Sequence, residues 1–238
     1  MRLIRTFVLG LAVLALLLLL ASGPGTRADL WSWKVGLQLF TWAAWIGLAS
    51  AGLALGPVAL LVSPRWRARP WVPVLALALG LAAAAPAVAM LMKAKSLPYI
   101  HDITTDTSDP PAFVALLPAR KASPNGAEYD PKVAALQQQG YPDIQPLMLK
   151  AAPAQAMQRA LDVARESGWN VVASDASAGR IEATATTTFF GFKDDIVVRI
   201  RPDGAGASRV DVRSVSRVGL SDIGTNAARI REFLARLA

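Results

Sequence analysis

The chain has 238 residues, 53% of them hydrophobic, a formal net charge of +8 and no cysteine. Without thiols it forms no disulfide, no thiolate nucleophile and no thiolate metal site. Seven Lys/Arg against one acid fall in residues 1–92 and eighteen against sixteen in residues 93–238, so the second part carries only +2 and lacks the clustered basicity of a nucleic-acid binder.

Residues 3–21 are apolar apart from Arg5 and Thr6, close to the ~20 residues a helix needs to cross a hydrocarbon layer. They read as a first span. A cleaved signal peptide is the alternative, because Ala21-Ser22-Gly23 offers small residues at a cleavage position. Residues 35–62 and 71–92 read as a second and a third span. Arg65, Arg67 and Arg69 between them mark a cytoplasmic loop by the positive-inside rule, as do Arg2 and Arg5 at the start. The loop 22–34, with Arg27 and Lys34 against Asp29, is the weaker cluster and belongs outside. The expectation is a membrane domain, 1–92, and an extracytoplasmic domain, 93–238, with the N-terminus cytoplasmic.

Trp31, Trp33, Trp66 and Trp71 fall near span ends and suit headgroup anchoring. Trp42 and Trp45 lie deeper. Gly52 and Gly56, four apart, would let another helix approach, either within the three-helix hairpin or in a homo-oligomer. Pro57 and Pro86 would each remove a backbone hydrogen bond. No ionisable residue lies deep in the second or third span, which argues against an ion pathway.

Residues 93–98 form a tether, and 99–109, IHDITTDTSD preceded by Tyr99, read as polar turns leading to Pro110-Pro111. Residues 113–117 read as a helical turn that Pro118 ends, 120–130 as a surface loop, 132–139 as a short helix closed by Gly140, and 147–149 as a short strand. A helix begins at Pro153, carries Ala156, Ala160, Val163 and Ala164 on one face, and ends near Gly168. Strands follow at 169–174, 180–187, 194–201 and 208–218. Alternation sets Ile181, Ala183, Ile196, Val198, Ile200, Val210 and Val212 inward, and Glu182, Asp195, Val197, Arg199, Arg201, Arg209, Asp211, Arg213 and Arg217 outward. A last helix, 222–237, has Ile223, Ala227, Ile230, Leu234 and Leu237 on one stripe. The fold class is thus a membrane protein with three transmembrane helices and an α+β domain, an antiparallel sheet of about four strands with helices on one face.

IHDITTDTSDPPAF, IEATATTTFFGFKDDIVVRI and VDVRSVSRVGLSDIGTNAARI resemble the signature blocks of a bacterial and plastid family catalogued as domain of unknown function 1499, over about residues 97–237. The resemblance implies an envelope or membrane-associated module with no assigned activity. Its matching positions here are Asp102, Thr105, Asp106, Asp194, Asp195, Arg199, Arg213, Ser214, Ser216, Arg217, Asp222 and Asn226.

His101, Asp102, Asp106 and Asp109 invite a metal site, but one histidine stands in the whole chain and the spacing suits side-chain capping of turns. Asp194 and Asp195 point to opposite faces and cannot share a proton or a metal; Asp195 is expected to pair with an arginine across the sheet and Asp194 to cap the turn at Gly191. The five outward arginines outnumber Glu182, Asp195 and Asp211, which leaves a remainder for gripping an anion, unless the face is a solvated salt-bridge ladder. Residues 219–222 could add backbone amides, provided Asp222 does not cap them itself. No nucleophile elbow or glycine-rich phosphate loop is present, so neither catalytic residue, nor metal, nor cofactor is assigned. The candidate ligand-binding residues are Asp102, Asp106, Asp195, Arg199, Arg213, Arg217, Asp222 and Asn226. The expected function is non-catalytic binding of an envelope protein, lipid headgroup or anionic small molecule by a bilayer-anchored domain; the alternative is a hydrolase or transferase on an anionic envelope substrate.

Overall fold

In a computed structural model, residues 2–60 and 70–238 are described. The arginine-rich loop Arg65, Trp66, Arg67 and Arg69, and the expected end of the second span at Val62, lie outside them. Contacts divide the chain into two compact units, Met1–Lys93 with Thr188–Gly191, and Ala94–Thr187 with Phe192–Ala238.

The first unit contains α1 (Arg2–Arg27), α2 (Trp33–Ala59) and α3 (Trp71–Lys95), all long and apolar enough to cross a membrane. α1 continues past Ala21 through Pro24, and Thr26 Oγ1 donates to Ser22 O at 2.8 Å, which satisfies that hydroxyl inside the helix. α2 starts at Ser32, whose hydroxyl accepts the Val35 amide. Small residues let its backbone close on its neighbours. A Cβ at Gly47 would stand 2.6 Å from Gly80 O, and one at Gly36 would overlap Thr26 Oγ1. Ser50 Oγ donates to Val8 O at 2.9 Å, a polar bond between α2 and α1. Phe40 meets Phe189 and Phe190 edge-on, at centroid distances of 6.4 and 5.7 Å.

The second unit is a 6-stranded antiparallel sheet in the order β1-β6-β5-β4-β3, with β2 also against β6. The strands are β1 (Asp102–Thr104), β2 (Leu147–Leu149), β3 (Asn170–Asp175), β4 (Arg180–Thr186), β5 (Lys193–Pro202) and β6 (Ser208–Ser216). The four expected strands are β3 to β6, the short run at 147–149 is β2, and β1 is an addition. Three polar-flanked residues are too few to display alternation, so Asp102–Thr104 is a strand because β6 pairs with it, Ile103 opposite Ser214. Pro118 opens a helix rather than ending one: α4 (Leu117–Lys121) has the proline in its first turn, where the lacking N–H costs nothing.

On one face of the sheet, Ile181, Ala183, Ile196, Val198, Ile200, Val210 and Val212 are buried against α6 (Pro153–Glu166) and α7 (Thr225–Leu237). Trp169 stacks on Phe233 at 4.9 Å. The alternation was read correctly; the exposure of the other face was not. Glu182, Asp195, Val197 and Arg213 are buried on the side where Phe113, Leu116, Ala119 and Ala127, from the segment around α4, close over Val197 and Val215, and Asp211 is buried among Arg199, Arg201 and Arg209. α5 (Lys132–Gly140) follows this segment, and Gln137 from it bonds both the N–H and the C=O of Thr104.

Candidate functional site

The eight candidate residues meet one another in pairs. Arg213 clasps Asp102 with Nε at 3.0 Å and Nη2 at 2.7 Å, Arg217 clasps Asp195 at 2.9 and 2.8 Å, Arg199 reaches Asp106 at 3.5 Å, and the Asn226 amide donates to Asp222 at 2.5 Å. They lie in three separate networks rather than one.

The first network fills the covered face. β1 carries Asp102 beside β6, so the planar fork of Arg213 meets its carboxylate in two parallel bonds. Arg213 also donates to Pro111 O and Ala127 O, and lies over the rings of Phe113 and Tyr129 at 5.3 and 5.5 Å. Next to it, Asp195 accepts Thr184 Oγ1 at 2.8 Å, the Arg217 fork, and Arg120 Nη1 at 3.4 Å. Arg120 is fully buried, lies over Phe113 at 5.5 Å, and donates to Val215 O and Gly126 O. Burial pulls its guanidinium below the ordinary value, and Asp195 opposes that pull. Glu182 accepts the amides of Val114, Ala115 and Leu116 at 2.9–3.1 Å and the Arg180 side chain at 3.2 Å. Burial, with Asp102 nearby, pushes the Tyr129 hydroxyl up to about 12.

The second network lies at the β5–β6 end. Fully buried Asp211 accepts Arg199, Arg201 and Arg209 at 2.9–3.3 Å. Asp106 takes Arg209 Nη2 at 2.7 Å, and Asp109 takes Arg199 and Arg201 at 3.0 and 3.1 Å. The arginine excess expected on this face is therefore filled: the count over β4 to β6 omitted Asp102, Asp106 and Asp109, which the chain brings from about a hundred residues earlier. Asp106 Oδ1 also caps the amides of Ser108 and Asp109, as the spacing suggested.

The third network sits on the α7 side. Asp194 does not cap the turn at Gly191; its carboxylate takes Arg229 Nη2 at 2.6 Å. Arg229 further bonds Ser214 Oγ, and Asn226, fully buried, bonds Ser214 Oγ, Ser216 Oγ and His101 O. Asp222 holds the amides of Gly224 and Asn226, and so occupies the helix start that an anion would need. α7 accordingly begins at Thr225, after left-handed Ile223 and Gly224, and not at 222. Burial pushes the Asp222 carboxyl up, against the two amides that hold it down.

Arg120, Arg229, Phe113 and Tyr129 were missed as members of these networks, while Glu182 was counted among the paired carboxylates of the face without its bonds to the amides of residues 114–116. Of those missed, only Arg229 left a trace in the sequence, one turn after Asn226. Among the described residues no group of three or more His, Asp or Glu is placed to hold a metal ion.

Three transmembrane helices and an α+β domain whose polar sheet face is closed by its own ion pairs define a bilayer-anchored module. Residues 102–237 match the model of a family described as protein of unknown function DUF1499, and the chain belongs to that family. None of the curated proteins compared with the chain matches it.

Proposed function

We propose that this is a protein of the bacterial cytoplasmic membrane, with its N-terminus inside and residues 93–238 in the periplasm, whose domain binds an envelope partner without catalysis. Orientation rests on Arg2, Arg5 and the Arg65–Arg69 cluster. The carrying observation for the domain is charge matching. Asp102, Asp106, Asp109, Asp195 and Asp211 each hold arginine forks at 2.7–3.5 Å, so no guanidinium of this face stands free for an anion and no carboxylate free as a base. An anionic ligand would have to displace a carboxylate already bonded to these arginines, whether buried Asp102, Asp195 or Asp211 or the exposed Asp109, which makes a protein partner the better reading than a headgroup or small anion.

The test has two arms. A reporter active only outside the cytoplasm, fused after Ala238, should be active; silence with good expression overturns the orientation. Mass spectrometry of the detergent-purified full chain should show a stoichiometric envelope protein. A retained small anion that is lost in Arg199→Ala would instead establish the anionic-ligand reading. A second reading, a hydrolase or transferase on an anionic envelope substrate, is favoured by one observation, the half-buried Asp222 with its raised carboxyl. It requires turnover abolished by Asp222→Asn in protein that remains folded.

A further inference from the structure

The turns that join β3 to β4 and β5 to β6 read ASAG at 176–179 and DGAGA at 203–207, small and polar as turns in water are. The turn that joins β4 to β5 reads TTFFGF at 187–192. A turn tip in water gains nothing from two phenylalanines, and the contacts supply the reason for them: Thr188–Gly191 belong with the helices of the first unit. Phe190 packs against the cluster of Leu19, Phe40 and Ala43. Phe189 meets Phe40 and Phe190 edge-on, at centroid distances of 6.4 and 5.0 Å. The seat is shaped for the loop. A Cβ at Gly23 would overlap the Phe189 ring, and one at Gly191, where φ is 72°, would stand 3.0–3.2 Å from Arg27. Arg27 Nη1 donates to Thr188 O at 2.6 Å. The Thr187 amide donates to Phe192 O at 2.8 Å, and the Phe192 amide to Thr187 Oγ1 at 2.9 Å. Backbone that is not helical enters a bilayer only with its polar groups met, and these bonds meet them at the neck of the turn and at Thr188 O.

The partners of the two rings fix their depth. Phe40 lies about two turns inside α2 from its first residue, Trp33, and Leu19 about two turns inside α1 from its last, Arg27. Trp33 and Arg27 suit headgroup level, so Leu19 and Phe40 belong to the hydrocarbon part of their spans. Phe190 is half-buried, whereas Phe189 keeps 38% of its surface exposed. The open side of a ring at that level faces whatever surrounds α1 and α2 there, and around a membrane span that is acyl chain. We propose that Thr188–Gly191 is a membrane-binding loop whose partner is the acyl-chain region of the bilayer. Phe189 is the ring that touches lipid, Phe190 is the ring that locks the loop onto Phe40, and Arg27 holds the loop's backbone from headgroup level. The loop thereby anchors the β4–β5 hairpin to the bilayer in addition to the three spans. This holds for either orientation of the chain and does not depend on the proposed envelope partner.

The chain has no cysteine, so one introduced cysteine carries one spin label. In the full-length chain reconstituted in phosphatidylcholine vesicles, a label on Phe189→Cys should collide severalfold more with dissolved oxygen, which concentrates in hydrocarbon, than with a water-soluble nickel chelate. A label on Leu17→Cys, exposed on α1, should do the same, and one on Ala205→Cys, exposed in the 203–207 turn, the reverse. A Phe189→Cys label that behaves like the one on Ala205→Cys, or that meets neither reagent, overturns the proposal. Because that substitution removes the ring itself, the unaltered chain supplies a second measurement. In vesicles doped with a lipid whose acyl chain carries a photoactivatable group, adducts should map to residues 188–191 as well as to the three helices. Adducts confined to the helices overturn the proposal, and so does labelling of 188–191 from a headgroup-borne probe but not from the acyl-borne one.

Discussion

The two faces of the one sheet are held by different forces. Under α6 and α7, Ile181, Ile196, Val198, Val210 and Val212 meet Ala160, Ala227, Ile230 and Phe233, and the contact is dispersive and divisible. On the opposite face, Asp102, Glu182, Asp195 and Asp211 meet Arg120, Arg180, Arg199, Arg213 and Arg217, and the contact is directional. Loss on the first face should scale with the volume deleted. On the second it should depend on whether the surviving partner is left charged and alone.

Arg213→Ala is the largest break in that comparison. It strips a buried Asp102 of both bonds and takes the guanidinium from between Phe113 and Tyr129. The expected cost is ~3–5 kcal/mol, enough to consume much of a domain's stability. Denaturant unfolding of the full chain in detergent measures it. The double variant Arg213→Met with Asp102→Leu should recover most of the loss, because no charge is then orphaned. A double variant as unstable as the single one would mean that geometry, not charge, holds the covering segment.

That difference between faces also governs what could be read from the sequence. The apolar face was legible because alternation from Ile181 to Val212 encodes it locally, and α6 and α7 showed their stripes. The polar face was half legible: its residues were identified, and Asp195 was matched to an arginine across the sheet, which is Arg217. Its burial was hidden, because Arg120 looks no different in sequence from exposed Lys121, yet one is 0% exposed and anchors the segment. The partners Asp102, Asp106 and Asp109 lie about a hundred residues from their arginines, a distance that no periodicity spans.

Glu182→Gln tests the covering segment alone. One oxygen that now faces backbone donors becomes an NH₂, and Arg180 loses the nearer of its two charged partners, keeping Asp175 at 3.7 Å. The expected loss is ~1.5–3 kcal/mol, the range for bonds to a charged group. Trypsin cleavage after exposed Lys121 should accelerate more than cleavage elsewhere, since the segment opens first. The apolar face supplies the calibration. Ile230→Val removes one methylene from a fully buried side chain and should cost ~0.5–1.5 kcal/mol, with no change at Lys121. Equal acceleration in the two variants would erase the distinction between the faces.

The smallest expected effect is a pH dependence at the start of α7. Burial raises the Asp222 carboxyl above its ordinary value, chiefly by desolvation, while the Gly224 and Asn226 amides act the other way. A group whose folded value is raised binds its proton more tightly in the folded state. Its contribution is therefore fully present below the unfolded value and is lost as pH rises through the folded one. Asp143 has the opposite sign, since its bond to Arg231 lowers it, and what it contributes above the ordinary carboxylate value is lost as pH falls. Melting curves of the full chain across the range just above the ordinary carboxylate value should show a shallow fall with rising pH that is absent in Asp222→Asn and intact in Asp143→Asn. If Asp143→Asn removes that fall and Asp222→Asn leaves it, the burial of the helix-start carboxylate is not what sets the local proton affinity.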